Sequence, residues 1–176
     1  ANKPHDFNED DKRAATALGQ LAALGLQHWR IESTLRASEE QYRLLADNTL
    51  DVIWTMGLDL EFKYVNPAIR SLTGHSPEEW IGSKLKDHCD EEQFAQMGQI
   101  IAQELAKGLA SRGVVFESTM KKKDGGPIAV EIHGKVICDP DGRPVLLQGT
   151  SRNISERRQL QAQIVQADRL SSMGML

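Results

Sequence analysis

The chain has 176 residues, 40% of them hydrophobic and 26% charged, which supports one ordinary domain with extensions. A formal net charge of -4 excludes a broad basic field for nucleic acid. Cys89 and Cys138 are far apart and form no CxxC, which excludes a disulfide framework and a cysteine metal knuckle and suits a cytoplasmic chain. No apolar run approaches the ~20 residues of a membrane span, so no membrane contact is expected from these residues.

Asn8-Glu9-Asp10-Asp11 has the form of a capping box ahead of a helix that the Ala/Leu-rich composition carries to about Ala37. Leu18, Leu21, Leu24, Trp29, Ile31 and Leu35 recur at mostly helical spacing, without a strict heptad across Gly25 and His28. Ser38 with Gln41 forms a second capping box, which predicts a kink or restart near residue 38. Tyr42, Leu44, Leu45 and Ala46 then give a short helix an apolar side, ending near Asp47-Asn48.

Asp51 to Thr55 and Glu61 to Val65 read as a pair of strands around the turn Gly57-Leu58-Asp59, with Phe62 and Tyr64 on one face by period two. Asn66-Pro67 stops the second strand. A short helix from Ala68 to Leu72 ends at Gly74. Ser76-Pro77-Glu78-Glu79 starts another: Ser76 caps, Pro77 takes the first helical position and Glu79 closes the box. Lys84 to Asp87 is a further short turn of helix. Asp90 with Gln93 caps a long helix over Glu91–Lys107, whose face is Phe94, Met97, Ile100/Ile101 and Leu105. Three strands follow: Val114 to Met120, Ile128 to Ile137 and Pro144 to Arg152. Their turns lie at Asp124-Gly125 and Asp139-Pro140-Asp141-Gly142, with Lys121-Lys122-Lys123 the solvated end of a hairpin. Ile154 to Leu176 is helical, with Leu160, Ile164, Ala167 and Ser171 at alternating four-three spacing. Its apolar Met175-Leu176 end reads as an element cut in the middle.

Chemistry-bearing residues are few. His88-Cys89-Asp90 groups three reactive types, but a metal would need a ligand from elsewhere, and the plain reading is a helix start capped by Asp90. His133 lies mid-strand opposite the apolar face, His28 in the entering helix, and His75 and His5 in loops. Asp51 and Asp59 suit the turns around the first hairpin. No nucleophile motif, phosphate loop or metal spacing occurs, so no catalytic residue is assigned.

Gln41-Tyr42-Arg43-Leu44-Leu45, Phe62-Lys63-Tyr64-Val65-Asn66-Pro67-Ala68, Leu72-Thr73-Gly74-His75-Ser76-Pro77-Glu78-Glu79, Lys122-Lys123-Asp124-Gly125 and Gly149-Thr150-Ser151-Arg152-Asn153-Ile154-Ser155-Glu156-Arg157 stand in a specific order. Together they resemble a PAS sensor domain with its C-terminal PAC part, over residues 38–158. The resemblance implies an α+β PAS fold: a five-stranded antiparallel sheet in the order two-one-five-four-three, with helices on one face, flanked by long N- and C-terminal signalling helices. The family's exit word is usually Asp-Ile-Thr. Asn153-Ile154-Ser155 keeps an acceptor but loses the charge, so a charged contact at this exit is expected to be weaker.

Residues 1–37 resemble the end of a GAF domain and a linker helix. Residues 159–176 resemble a coiled-coil linker entering the dimerisation helix of a sensor histidine kinase, without its phosphoacceptor histidine or ATP-binding motifs. The resemblance implies a piece of a two-component kinase. Its partners would be a second copy paired through the flanking helices, the downstream kinase domain of the same chain, and a response regulator for the full protein.

Flavin-binding members carry a cysteine within an Asn-Cys-Arg-Phe word, where this chain reads Asp87-His88-Cys89-Asp90-Glu91. Haem-binding members of one branch place a histidine on the long helix, and Glu91–Lys107 has none. The resemblance therefore argues against both cofactors and leaves a small organic molecule or no ligand. A pocket between sheet and helices would be lined by Trp54, Met56, Tyr64, Ile69, Leu72, Leu85, Phe94, Met97, Ile101, Val130, Ile132 and Leu147, which equally make up a plain core. Signal coupling is expected at the pivot Asn153, Ile154 and Ser155.

Overall fold

The computed structural model describes residues 9–173; the readings made for residues 1–8 and 174–176 lie outside the described residues. The chain divides between Leu45 and Ala46. Helix α1 (Glu9–Asp47) makes up most of the first unit. It runs through Ser38 without the restart that the Ser38/Gln41 box predicts. A capping serine must leave helical backbone geometry, and nothing between Thr34 and Gln41 forces that exit. Leu35, Arg36, Ala37, Glu39, Glu40 and Gln41 are strong helix formers and carry the helix past it. Ser33 and Thr34 turn their hydroxyls back onto the Arg30 carbonyl, at 3.0 and 2.8 Å. Leu24, Trp29, Ile31, Leu35, Tyr42 and Leu45 are exposed.

The second unit is built on strands β1 (Val52–Gly57), β2 (Phe62–Val65), β3 (Val114–Lys121), β4 (Pro127–Cys138) and β5 (Pro144–Asn153). They form one antiparallel sheet in the order β2-β1-β5-β4-β3, as expected. Between β2 and β3 come α2 (Ala68–Thr73), α3 (Pro77–Trp80), a 3-10 turn (Leu85–His88), α4 (Glu91–Lys107) and a second 3-10 turn (Gly108–Ala110). Helix α5 (Ser155–Met173) follows β5.

The short helices form where local chemistry fixes them. Ser76 Nα donates to Glu79 Oε2 at 2.8 Å while Ser76 Oγ accepts from the Glu79 amide at 3.4 Å, and Pro77 presets the first turn. Asp90 Oδ1 accepts from the Gln93 amide at 2.8 Å and starts α4. α2 stops at Gly74, whose φ of 84° is left-handed.

Alternation puts Val52, Trp54 and Met56 of β1, and Ile128, Val130 and Ile132 of β4, on one face of the sheet. There they meet Ile69, Leu72, Trp80, Leu85 and Met97 from the helical layer. Each large side chain so buried is worth about 1.5–3 kcal/mol relative to exposure. In β2 the alternation fails. Thr55 pairs with Tyr64 but Met56 pairs with Phe62, so Lys63 is the extra residue of a bulge. The bulge turns Phe62 into the core and leaves Tyr64 on the outer face, 38% exposed. This corrects the placement of Phe62 and Tyr64 on one face, and of Tyr64 among pocket liners.

Candidate functional site

A cavity of about 60 Å³ lies between the sheet and the helical layer. Of the residues named from sequence, Trp54, Met56, Ile69, Leu72, Leu85, Met97, Ile101, Ile132 and Leu147 line it. Phe94 packs against the core without reaching the cavity, and Val130 is buried in the sheet beneath. The remaining wall includes Val52, Phe62, Trp80, Ile100, Phe116, Met120 and Val136, with three features of another kind: Glu104, Gly134 and Ser151.

Glu104 sits on the buried stripe of α4, 5% exposed, one position before the Leu105 that helical spacing selects. Ser111 Oγ donates to its Oε2 at 2.7 Å and Lys107 Nζ to its Oε1. The Lys107 and Ser111 hydrogen bonds hold its carboxyl below the usual carboxylate range. At the other end of the cavity, Trp54 Nε1 donates to Ser151 Oγ at 2.9 Å. The indole lies over two glycines. A Cβ at Gly149 would stand 2.5 Å from Cζ2 and 2.8 Å from Cη2 of the ring, and one at Gly134 would stand 3.9 Å from Cη2. The sequence signal for this contact is glycine inside a strand, which marks a close approach.

Asp90 caps α4, as the plain reading of His88-Cys89-Asp90 has it, and His88 itself is buried. Its ring stacks on Trp80 at 3.5 Å between centroids and 15°, with Phe62 and His75 edge-on. Burial, and then the neighbouring His75, push its pKa down to about 4 against a slight pull from Asp87. Ser83 Oγ lies 2.5 Å from both His88 Nε2 and the Trp80 carbonyl. The carbonyl can only accept, so the hydroxyl proton goes to it and His88 Nε2–H donates to Ser83. A serine so arranged is held by the histidine rather than activated by it. Cys89 is buried against the Leu85 carbonyl, and burial raises its thiol pKa. His133 is exposed, 3.4 Å from Glu131. Among the described residues no three His, Cys, Asp or Glu side chains cluster as metal ligands.

The two ends of the module are tied by polar contacts. Asn66 is fully buried. Its Nδ2 donates to the Ala46 and Asp51 carbonyls at 2.7 and 3.1 Å, and its Oδ1 accepts from the Ile53 amide at 3.0 Å. Arg152 forks onto the Asp51 carboxylate, with Nε to Oδ1 at 2.9 Å and Nη2 to Oδ2 at 2.6 Å. This pair lowers the Asp51 pKa and places a charged contact at the exit through Arg152, beside Asn153. Asn153 Oδ1 accepts from the Ser155 amide at 2.9 Å, and Ile154, 2% exposed, donates its amide to the Ala129 carbonyl at 3.1 Å. On the outer face Glu117 of β3 and Glu131 of β4 stand directly opposite. Arg157 Nη2 reaches them at 2.7 and 3.1 Å, and Arg158 also holds Glu117.

A sheet in this order, a one-sided helical layer over an internal cavity and a helix leaving the central strand define a sensor-type α+β module. The family model described as the PAS fold matches residues 40–154, and the chain belongs to that family. It is 27% identical over 158 residues to the methyl sulfide methyltransferase-associated sensor of Methanosarcina acetivorans, covering 89% of this chain and 15% of that protein. It is 28% identical over 129 residues to sporulation kinase C of Bacillus subtilis, covering 73% of this chain and 29% of the kinase. The PAS domain of an HTR-like protein from Haloarcula marismortui superposes with a TM-score of 0.58 at 22% identity, over 71% of this chain and 98% of that one. The chain is thus a PAS-type sensor domain, of a kind found across signalling proteins. Among the described residues no helix is long and apolar enough to cross a membrane.

Proposed function

We infer that this module is a relay in a sensor histidine kinase. A change at the cavity, or one arriving from an upstream GAF-like domain, alters the seating of α5 and thereby sets autophosphorylation by a kinase domain further along the same chain. That kinase would in turn serve a response regulator. The observation that carries the reading is the exit: Ile154 is a buried anchor, flanked by the Asn153–Ser155 cap and by the arginines that clip α5 to Glu117 and Glu131. The sequence similarity to a kinase and to a sensor supports the setting. The module's ligand is a small apolar molecule or none, in keeping with a cavity of about 60 Å³. Neither flavin nor haem belongs to the proposal.

The flanking helices pair two copies. Because α1 is continuous through residue 38, Ile31, Leu35, Ser38, Tyr42 and Leu45, beyond the break at Gly25 and His28, fall at alternating four-three spacing along it, the period of a two-stranded coil. Leu160, Ile164 and Ala167 repeat that spacing on α5.

The test is Ile154→Lys in the full-length protein. A lysine at this buried position unseats the start of α5, and kinase output stops following the input. A normally regulated kinase overturns the relay. The small cavity also favours a second reading, a ligand-free spacer that only dimerises. Native mass spectrometry with an absorption spectrum tests the spacer from one side, since mass beyond the polypeptide overturns it; for a chain that is bare in every state, Ile154→Lys separates a relay driven from upstream from a spacer.

A further inference from the structure

We propose that the Trp54–Ser151 pair is the contact through which the state of the cavity reaches the exit helix; this rests on the relay reading above.

The pair belongs to both places at once. Trp54 and Ser151 each line the cavity, and Ser151 stands two residues before Asn153, where β5 ends. Ser151 is 4% exposed, pairs with Val52 of β1 and Ile132 of β4, and accepts the indole proton at 2.9 Å. On one side of it Gly149 lies beneath the indole; on the other Arg152 grips Asp51 and Asn153 starts α5.

The cavity exists because the indole lies down. Gly134 and Gly149 pair with each other across β4 and β5, and Trp54 pairs with Gly149 across β1 and β5. A side chain at Gly149 would collide with the indole and with the His133 carbonyl. Glycine inside a strand weakens it, so two side by side are a local cost offset by the close approach of the ring. Lying there, the indole leaves the space above it open and its N–H on Ser151. Raised, the ring fills that space and leaves a buried N–H and a buried hydroxyl without each other. An occupant therefore holds the ring down and the Trp54–Ser151 bond closed, while an empty cavity admits the raised ring. These are two discrete arrangements of one side chain, which is what a coupling element requires. Ser151 is a positioning residue in this scheme. It acts on α5 through the end of β5.

Xenon, which enters small apolar cavities, is a suitable probe. The experiment is NMR of the 176-residue chain under xenon pressure, reading the methyls of Ile132 and Leu147 for occupancy, the Trp54 indole N–H for the ring, and the amides of Ile154–Arg157 for the exit. In the native chain all three respond together. In Ser151→Ala the methyls still respond, the ratio of lying-down to raised rings falls about fivefold, as loss of one ordinary hydrogen bond implies, and the exit amides lose most of their response. Trp54→Phe removes the same donor and behaves alike at the exit, whereas Ser151→Thr keeps the hydroxyl and restores the response. Exit amides that follow xenon equally well in Ser151→Ala overturn the Trp54–Ser151 route and leave the relay standing. Exit amides that ignore xenon in the native chain, while the methyls respond, overturn the route and also the reading that the cavity controls α5. A chain that takes up no xenon overturns both.

Discussion

Acidification should destabilise the module through one ring. His88 titrates at about 4 in the folded chain, against an ordinary value of 6.5. A histidine with a depressed folded pKa binds its proton more readily when unfolded. Its contribution to stability is therefore complete above the ordinary value and is lost as pH falls from about 6.5 towards about 4. At about pH 5 the unfolded imidazole is mostly charged and the folded one is not, a difference of about 2 kcal/mol at 1.36 kcal/mol per unit. Relaxation around the ring and entry of water reduce this to about 1–2 kcal/mol. The carboxylates with lowered values, Asp51, Glu79, Glu104, Glu117 and Glu131 among them, act in the same direction but mainly below their ordinary values of 3.8 and 4.5, so the loss above about pH 5 belongs mostly to the histidine. The assay is urea unfolding followed by tryptophan fluorescence from about pH 7 to about pH 5, on the native chain and on His88→Phe. Phenylalanine keeps a ring on Trp80 and removes the titration, so its stability should stay flat where the native chain loses its 1–2 kcal/mol. A native chain whose stability does not change over this interval, or a His88→Phe variant with the same slope, refutes the assignment.

Gly149→Ala should lower stability by about 1–3 kcal/mol, the usual range for overpacking, because the new methyl meets the Trp54 ring and the His133 carbonyl; a thermal melt and the shift of the Trp54 indole proton check it, and an unchanged indole resonance counts against the close approach. Asn66→Ala should cost about 2–4 kcal/mol, since it strips partners from the Ala46 and Asp51 carbonyls and the Ile53 amide at once. Hydrogen exchange at Ile53 should accelerate in step with that loss, and exchange that stays slow there shows that the amide has found another partner.

Local rules carried much of the fold because they were self-contained. Ser76-Pro77-Glu78-Glu79 and Asp90 to Gln93 each satisfy their own backbone donors within one turn, so no distant residue can overrule them. Ser38 with Gln41 has the same spelling but sits among strong helix formers, and there propensity wins. Tyr64 was misplaced because strict alternation cannot register a one-residue bulge, which depends on the partner strand. The apolar half of the cavity was readable from periodicity, while its polar features were not. Glu104 looks like a solvent residue until Ser111 and Lys107 are folded onto it, and Ser151 looks like an ordinary strand serine until Trp54 reaches it from β1. His88 is similar: nothing in Asp87-His88-Cys89 announces a stack with Trp80, because that contact is made by tertiary packing.

The opposed carboxylates of Glu117 and Glu131 give α5 a property beyond adhesion. With Arg157 and Arg158 in place the sheet carries its own tethered counter-ions, which lose no translational freedom each time they return. A dissolved cation must be recruited from bulk and ordered at the same spot, so it competes at a disadvantage while the first turn of α5 stays wound. Once that turn unwinds, the two arginines leave together, and like charges face each other across neighbouring strands with only mobile ions to screen them. Detachment of the helix is for that reason cooperative at its root, and its threshold moves with the ionic strength of the medium.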